Sequence, residues 1–138
     1  MTNIQKMPLE LHPTKRINTI SKDGKDPEVF ILQPRVKAEL TMRELCYRIN
    51  QSCSLTEADV LACISQLNHQ VWEALQQGYK VNLGDLGTFK MAVQSASKPQ
   101  PSDLTKTDVR KFKINYQPSK RLKHQLKNGL DMKIVYKK

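Results

Sequence analysis

An α+β fold is what this sequence predicts, and three features of its 138 residues carry the prediction. Two capped apolar segments with helical periodicity run from Thr41 to Gly78. Past Gly78 the apolar period falls to two, on either side of a glycine turn. Positive charge then gathers at the far end: Lys98–Lys138 holds twelve Lys or Arg against Asp103, Asp108 and Asp131, a net +9 of the chain's +10. The helical segment Leu40–Gly78 is by contrast −2, with Arg43 and Arg48 against Glu44, Glu57, Asp59 and Glu73. A pI near 9.7 with charge segregated in this way predicts a cationic face for a polyanion with repeating phosphates.

The totals set bounds on size and setting. The length fits one domain plus an appendage. A hydrophobic fraction of 38%, concentrated in 40–93 and 109–136, gives a thin core, and a homodimer is expected as one way to bury more. No stretch of about eighteen apolar residues predicts a membrane span, and Met1–Leu11 lacks the apolar run of a secretory signal. A soluble cytoplasmic protein is expected. Cys46, Cys53 and Cys63 are odd in number and lack CxxC spacing, so buried or half-buried free thiols are expected rather than a disulfide or zinc site.

Residues 1–39 read as an extension in which Pro8, Pro13, Pro27 and Pro34 recur without helical periodicity. A short strand is expected at Val29–Leu32, paired with Ile17–Ile20 across an Asp23-Gly24 turn. Residues 40–138 form the main domain. Thr41 with Glu44 is a capping box, followed by Met42, Leu45, Cys46 and Ile49 on one helical face. After a polar break at Asn50–Ser54, Thr56 with Asp59 caps a longer helix over about 57–77, its face lined by Val60, Cys63, Ile64, Leu67, Val71 and Leu75. Met42 and Trp72 are expected in the core. Val81 and Leu83, then Phe89, Met91 and Val93, alternate with polar residues around Gly84-Asp85-Leu86-Gly87, which predicts two antiparallel strands. Residues 94–111 read as a polar, flexible excursion containing Lys98-Pro99-Gln100-Pro101. Phe112–Tyr116 resumes strand alternation, Pro118 ends it, Ser119 caps a short helix closed by Gly129, and Asp131–Tyr136 adds a last strand.

This order of elements resembles the bacterial histone-like HU/IHF family. Lys80-Val81-Asn82-Leu83-Gly84-Asp85-Leu86-Gly87-Thr88-Phe89 is similar to the family's first hairpin, and Tyr116-Gln117-Pro118-Ser119-Lys120-Arg121-Leu122-Lys123 to its Phe-x-Pro-Gly-Lys helix start. The resemblance covers about 41–128. It implies an IHF-like DNA-binding fold: two N-terminal helices, a three-stranded antiparallel sheet with an extended arm at 94–111, and a short C-terminal helix. It also implies an intertwined dimer whose two β-ribbon arms embrace the minor groove. Two departures stand out. Ser119 replaces the usual glycine, and the excursion lacks the Arg-x-Pro-x-Thr-Gly arm tip, with Lys98-Pro99-Gln100-Pro101 as a loose substitute. With its 39-residue extension the chain resembles a divergent HU-related branch.

The basic residues also make sense without the family. Strand alternation sends Phe112, Ile114 and Tyr116 to one face and Lys111 and Lys113 to the other. Lys120, Arg121 and Lys123 crowd the first turn of the last helix, where the helix dipole disfavours cations unless an external anion is shared with the free amides. The expected DNA-contacting set is therefore Lys80, Lys90, Lys98, Lys106, Arg110, Lys111, Lys113, Ser119, Lys120, Arg121 and Lys123, with Pro99 and Pro101 as candidate wedges between base steps.

Enzymatic readings find little to stand on. His12, His69 and His124 are scattered, and there is no P-loop, HExxH or paired-carboxylate motif, so no catalytic residue, cofactor, metal or small-molecule substrate is expected. The leading reading is sequence-tolerant duplex DNA binding and nucleoid organisation by a homodimer. The alternative is a protein-interaction or assembly module on the same scaffold, for which the missing arm tip speaks. A helix-turn-helix reader at Thr41–Gly78 fits poorly, because that segment is net −2 and a recognition helix is basic.

Overall fold

The computed structural model describes residues 7–17 and 28–136. The chain divides into two compact units, the described residues of Met1–Glu39 with Asn128–Lys138, and Leu40–Lys127.

The first unit is a three-stranded sheet in the order β2-β1-β6, with β1 at Leu9–Ile17, β2 at Glu28–Pro34 and β6 at Met132–Ile134. β1 and β2 pair antiparallel from Ile17 opposite Glu28 to Leu11 opposite Pro34. The strand expected at Val29–Leu32 is there, but its partner is the proline-containing stretch from Leu9 to Ile17 rather than Ile17–Ile20. Residues 18–20 and the Asp23-Gly24 turn lie outside the described residues. Pro13 fits in β1 because β6 pairs only with Leu9, Glu10 and Leu11, so the side of β1 that Pro13 N faces is an open edge among the described residues, where a missing N–H costs no ladder bond. The last strand, read from sequence as part of the 40–138 domain, runs parallel to β1 instead. Leu9 N–H donates to the Asp131 carbonyl at 2.9 Å and Val135 N–H to the Leu11 carbonyl at 2.8 Å. Free main-chain groups on the open edge of β1 supply the reason: they are satisfied by a segment remote in sequence.

The second unit begins with helix α1, Met42–Ser52, whose capping box is fully formed: Glu44 N–H donates to Thr41 Oγ1 and Thr41 N–H to the Glu44 carboxylate. α1 runs three residues into the expected polar break, to Ser52, and Asn50 Nδ2 donates to the Leu55 carbonyl at 2.6 Å to shape the connection. α2 spans Glu57–Gln76, capped by Thr56, whose hydroxyl accepts from Asp59 N–H. Gly78 at φ +90° turns the chain out of the helix. The antiparallel sheet β3-β4-β5 follows, with β3 at Val81–Asn82, β4 at Thr88–Ser95 and β5 at Val109–Gln117. A single 3-10 turn, Gly84–Leu86, joins β3 to β4. α3, Lys120–Asn128, comes after β5.

The expected excursion 94–111 is shorter and better organised than a flexible arm. Strand pairing reaches Ser95 opposite Val109, with a bulge that leaves Arg110 unpaired. Between them are two 3-10 turns, Pro101–Asp103 and Lys106–Asp108. Pro101 presets φ for the first, and Thr105 N–H donating to the Asp108 carboxylate at 2.8 Å closes the second.

Among the described residues the buried apolar side chains are Cys46, Val60 and Leu75. Met42 and Trp72, expected in the core, are exposed at 42% and 50%. Cys53 and Cys63 are exposed free thiols and Cys46 a buried one. The cause is geometric. α1 packs on α2, and α2 on β3 and β4, but the apolar faces of helices and sheet meet as an open groove of about 570 Å³. Met42, Leu45, Leu67, Trp72, Phe89 and Ile114 are among its walls. No helix among the described residues is long and apolar enough to cross a membrane.

Gly87 offers a direct test of this fold. At φ +128°, a Cβ there would meet Tyr116 Cε2 at 2.9 Å and the Gln117 carbonyl oxygen more closely still. Gly84, at φ +68°, has open space around it. In chemical denaturation Gly84→Ala is expected to cost about 1 kcal/mol, the left-handed backbone penalty alone. Gly87→Ala is expected to cost about 3 kcal/mol or more, because steric overlap with backbone adds to the strain.

Candidate nucleic-acid interface

The pairing register of β4 and β5 separates their two faces cleanly. Phe89, Met91 and Val93 stand opposite Tyr116, Ile114 and Phe112 on one face. Lys90, Ala92 and Gln94 stand opposite Asn115, Lys113 and Lys111 on the other. The apolar face carries a tilted Phe89–Tyr116 ring pair, centroids 5.1 Å apart. Period-two alternation, with no break before Gln94, is what puts three lysines on a single surface.

Thr88 and Gln117 pair at the base of the same cationic face. Both line a polar recess of about 370 Å³ together with Asn82, Gly84, Pro118, Ser119, Lys120 and Lys123. The ribbon's lysine face therefore runs into the start of α3. Ser119 builds that start twice over. Its hydroxyl accepts from Leu122 N–H at 3.2 Å and donates to the Asp85 carbonyl at 2.7 Å. Tyr116 adds a second tie, its hydroxyl donating to the Leu86 carbonyl at 2.6 Å. Two side chains thus fasten the 3-10 turn, Tyr116 to the end of β5 and Ser119 to the start of α3, where Lys120 and Lys123 line the recess.

The site residues expected from sequence divide into three groups. Lys90, Lys111, Lys113, Ser119, Lys120 and Lys123 belong to the continuous surface of ribbon face and recess. Arg110 sits at the bulge beside it, and Lys98, Pro99, Pro101 and Lys106 are exposed on the loop that caps the hairpin. Lys80 precedes β3 and does not line the recess. Arg121 differs from the rest, because its guanidinium is paired with Asp85, Nη1 to Oδ2 at 3.0 Å. Sequence reading missed Asp85, Thr88 and Gln117 as members of this surface. Asp85 registers there only as a turn residue, and nothing local connects it to a helix 36 residues on.

Lysines and hydroxyls gathered on one surface offer positive charge and hydrogen-bond donors to an anion. No group of three His, Cys, Asp or Glu among the described residues is placed to hold a metal ion.

Comparison with known proteins places the chain in a class. The family model HU-HIG, "HU domain fused to wHTH, Ig, or Glycine-rich motif", matches residues 7–133, and the chain belongs to that family. Membership in an HU-related branch, expected from the hairpin and helix-start motifs, is thereby borne out. The DNA-binding protein HU of Thermus thermophilus is 31% identical over 94 residues, covering 66% of this chain and 96% of that protein. A crystal structure from Bacteroides vulgatus, of a "putative bacterial DNA binding protein", matches 93% of this chain with a TM-score of 0.62 at 15% identity, a likeness of fold. This chain spans 47% of that one.

Removing the tie from Ser119 is expected to loosen the recess without unfolding the domain. Ser119→Ala loses one helix cap and one interelement hydrogen bond, about 1–2 kcal/mol together. Hydrogen exchange is expected to rise at the amides of Leu122 and Lys123 well before those of α2.

Proposed function

We propose that this protein binds duplex DNA through phosphate contacts, with little sequence preference, as a homodimer that organises DNA in the bacterial nucleoid. The observation that carries the reading is the continuity of cationic surface from Lys90, Lys111 and Lys113 to Lys120 and Lys123. Membership in an HU-related family and the 31% identity to a DNA-binding HU protein support it. Phosphate contacts of this kind fix a protein on the duplex and leave base sequence unread. The loop cations Lys98, Lys106 and Arg110 extend the contact line, with Lys80 an outlying member. Ser119 contributes through the helix start.

The open groove supports the homodimer. With three buried apolar side chains among the described residues, and with Leu67, Trp72 and Ile114 about half exposed, the chain gains most from a partner of its own kind. Sedimentation equilibrium at micromolar concentration is expected to give about twice 15.9 kDa. Leu67→Asp, which places a charge in the groove, is expected to shift the mass to one chain.

The steepness of the salt dependence tests the DNA contacts. Each neutralised phosphate adds about 0.9 to the slope of log affinity against log salt. Lys120→Ala with Lys123→Ala is expected to lower that slope by about one to two per subunit and to weaken all sequences alike. A changed sequence preference with an unchanged slope contradicts the phosphate assignment.

Bending is expected to be modest. Pro99 and Pro101 are the candidate wedges, and they sit on a loop folded back through two 3-10 turns rather than on a long arm. End-to-end energy transfer on a labelled duplex of about thirty base pairs measures it. The loop's closed form and missing tip motif are what favour the protein-interaction reading, and absence of any duplex binding shifts the assignment there.

A further inference from the structure

Arg121 is the one cation of the proposed interface that, among the described residues, already holds a carboxylate, Asp85 Oδ2 at 3.0 Å. Lys15–Glu28, Arg35–Glu10 and His69–Glu73 are also ion-paired, and none of these lies on the ribbon or the recess. Asp85 reaches Arg121 because its own backbone is fastened there, its carbonyl accepting from Ser119 Oγ and the next carbonyl from Tyr116 Oη. The carboxylate is thereby held beside the first turn of α3. That turn carries no acid of its own, yet its dipole favours an anion. A guanidinium fork that accepts a carboxylate accepts a phosphate by the same geometry.

From this arrangement we infer that Asp85 is an internal counter-anion that masks Arg121 and sets the affinity for duplex DNA below what the cationic surface would otherwise give. The inference rests on the DNA-binding reading above. In the unmodified protein Arg121 stays on Asp85 and adds no phosphate contact; without the carboxylate it becomes one more. Both side chains are largely exposed, Arg121 at 68% and Asp85 at 77%, so the pair contributes little to folding and its removal leaves the fold intact.

The test is a cycle of Asp85→Asn, Arg121→Ala and the double variant in the full chain. Binding to a fluorescein-labelled duplex is followed by anisotropy at several salt concentrations, with melting curves to verify folding. Asp85→Asn is expected to tighten binding at low salt by about fivefold per subunit, the upper end of what an exposed ion pair holds back. It is also expected to steepen the salt slope by about 0.9 per subunit. Arg121→Ala in the wild-type background is expected to leave the slope unchanged, and the double variant to show neither gain. Asp85→Glu keeps the carboxylate and is expected to keep the wild-type slope.

Three results overturn the inference while leaving DNA binding in place. Arg121→Ala alone flattens the slope by about 0.9, meaning that Arg121 already sits on phosphate. Asp85→Asn tightens binding equally with and without Arg121, meaning that only bulk charge matters. Asp85→Asn weakens binding while melting as wild type does, meaning that Asp85 positions α3 instead. Failure of the wild-type chain to bind duplex at any salt concentration overturns the DNA-binding reading itself and this inference with it.

Discussion

At Gly87 the chain passes so close to the end of β5 that no side chain fits between the turn and the Gln117 carbonyl. The rest of the candidate site follows from that approach. With the turn seated against β5, the Leu86 carbonyl lies within reach of the Tyr116 hydroxyl and the Asp85 carbonyl within reach of Ser119. The first fixes the turn on β5, the second fixes the start of α3 on the turn, and α3 places Lys120 and Lys123. The ties span 30 and 34 residues of sequence, so they order segments that propensity alone leaves independent. The substitution of serine for the glycine usual at a helix start of this kind has a structural counterpart here. Serine gives up backbone freedom and supplies a hydroxyl that serves both helix and turn.

The distribution of apolar groups imposes a second constraint. Helices α1 and α2 and the sheet each present an apolar face, as their periodicities require, yet the faces surround a groove instead of closing a core. Fully burying a Leu, Phe or Met side chain gains roughly 1.5–3 kcal/mol, so several such residues left in water forgo much of the stability a small domain needs. In the proposed homodimer folding and association would be coupled, and the stability of the fold would depend on protein concentration. The two sides of the ribbon divide the labour: Phe112 and Ile114 face one way for packing, while Lys111 and Lys113 face the other for solvent or an anion.

Electrostatics in this protein is a matter of placement more than amount. The crowding of Lys120, Arg121 and Lys123 at the positive end of a helix is locally unfavourable, and an external phosphate is one remedy. The structure contains a second remedy, Asp85, brought from the hairpin turn to the same helix end. It neutralises one cation of the three and leaves Lys120 and Lys123 on the recess.

Much of this was determined by the sequence alone, because it depends on residues near one another in the chain. The Thr41–Glu44 and Thr56–Asp59 caps, the change to period two after Gly78 and the stop at Pro118 are local signals, and each matches an element of the structure. The hairpin and helix-start motifs carried the family for the same reason. What only the tertiary structure decided are pairings between distant segments. Those are the parallel docking of Met132–Ile134 on β1, the ordered turns that shorten the arm, the apolar residues left open around the groove, and the contact of Asp85 with Arg121. Propensity and periodicity report a residue's own backbone and face, whereas main-chain groups on a strand edge or a carboxylate on a turn find partners only after the chain has been brought together in space.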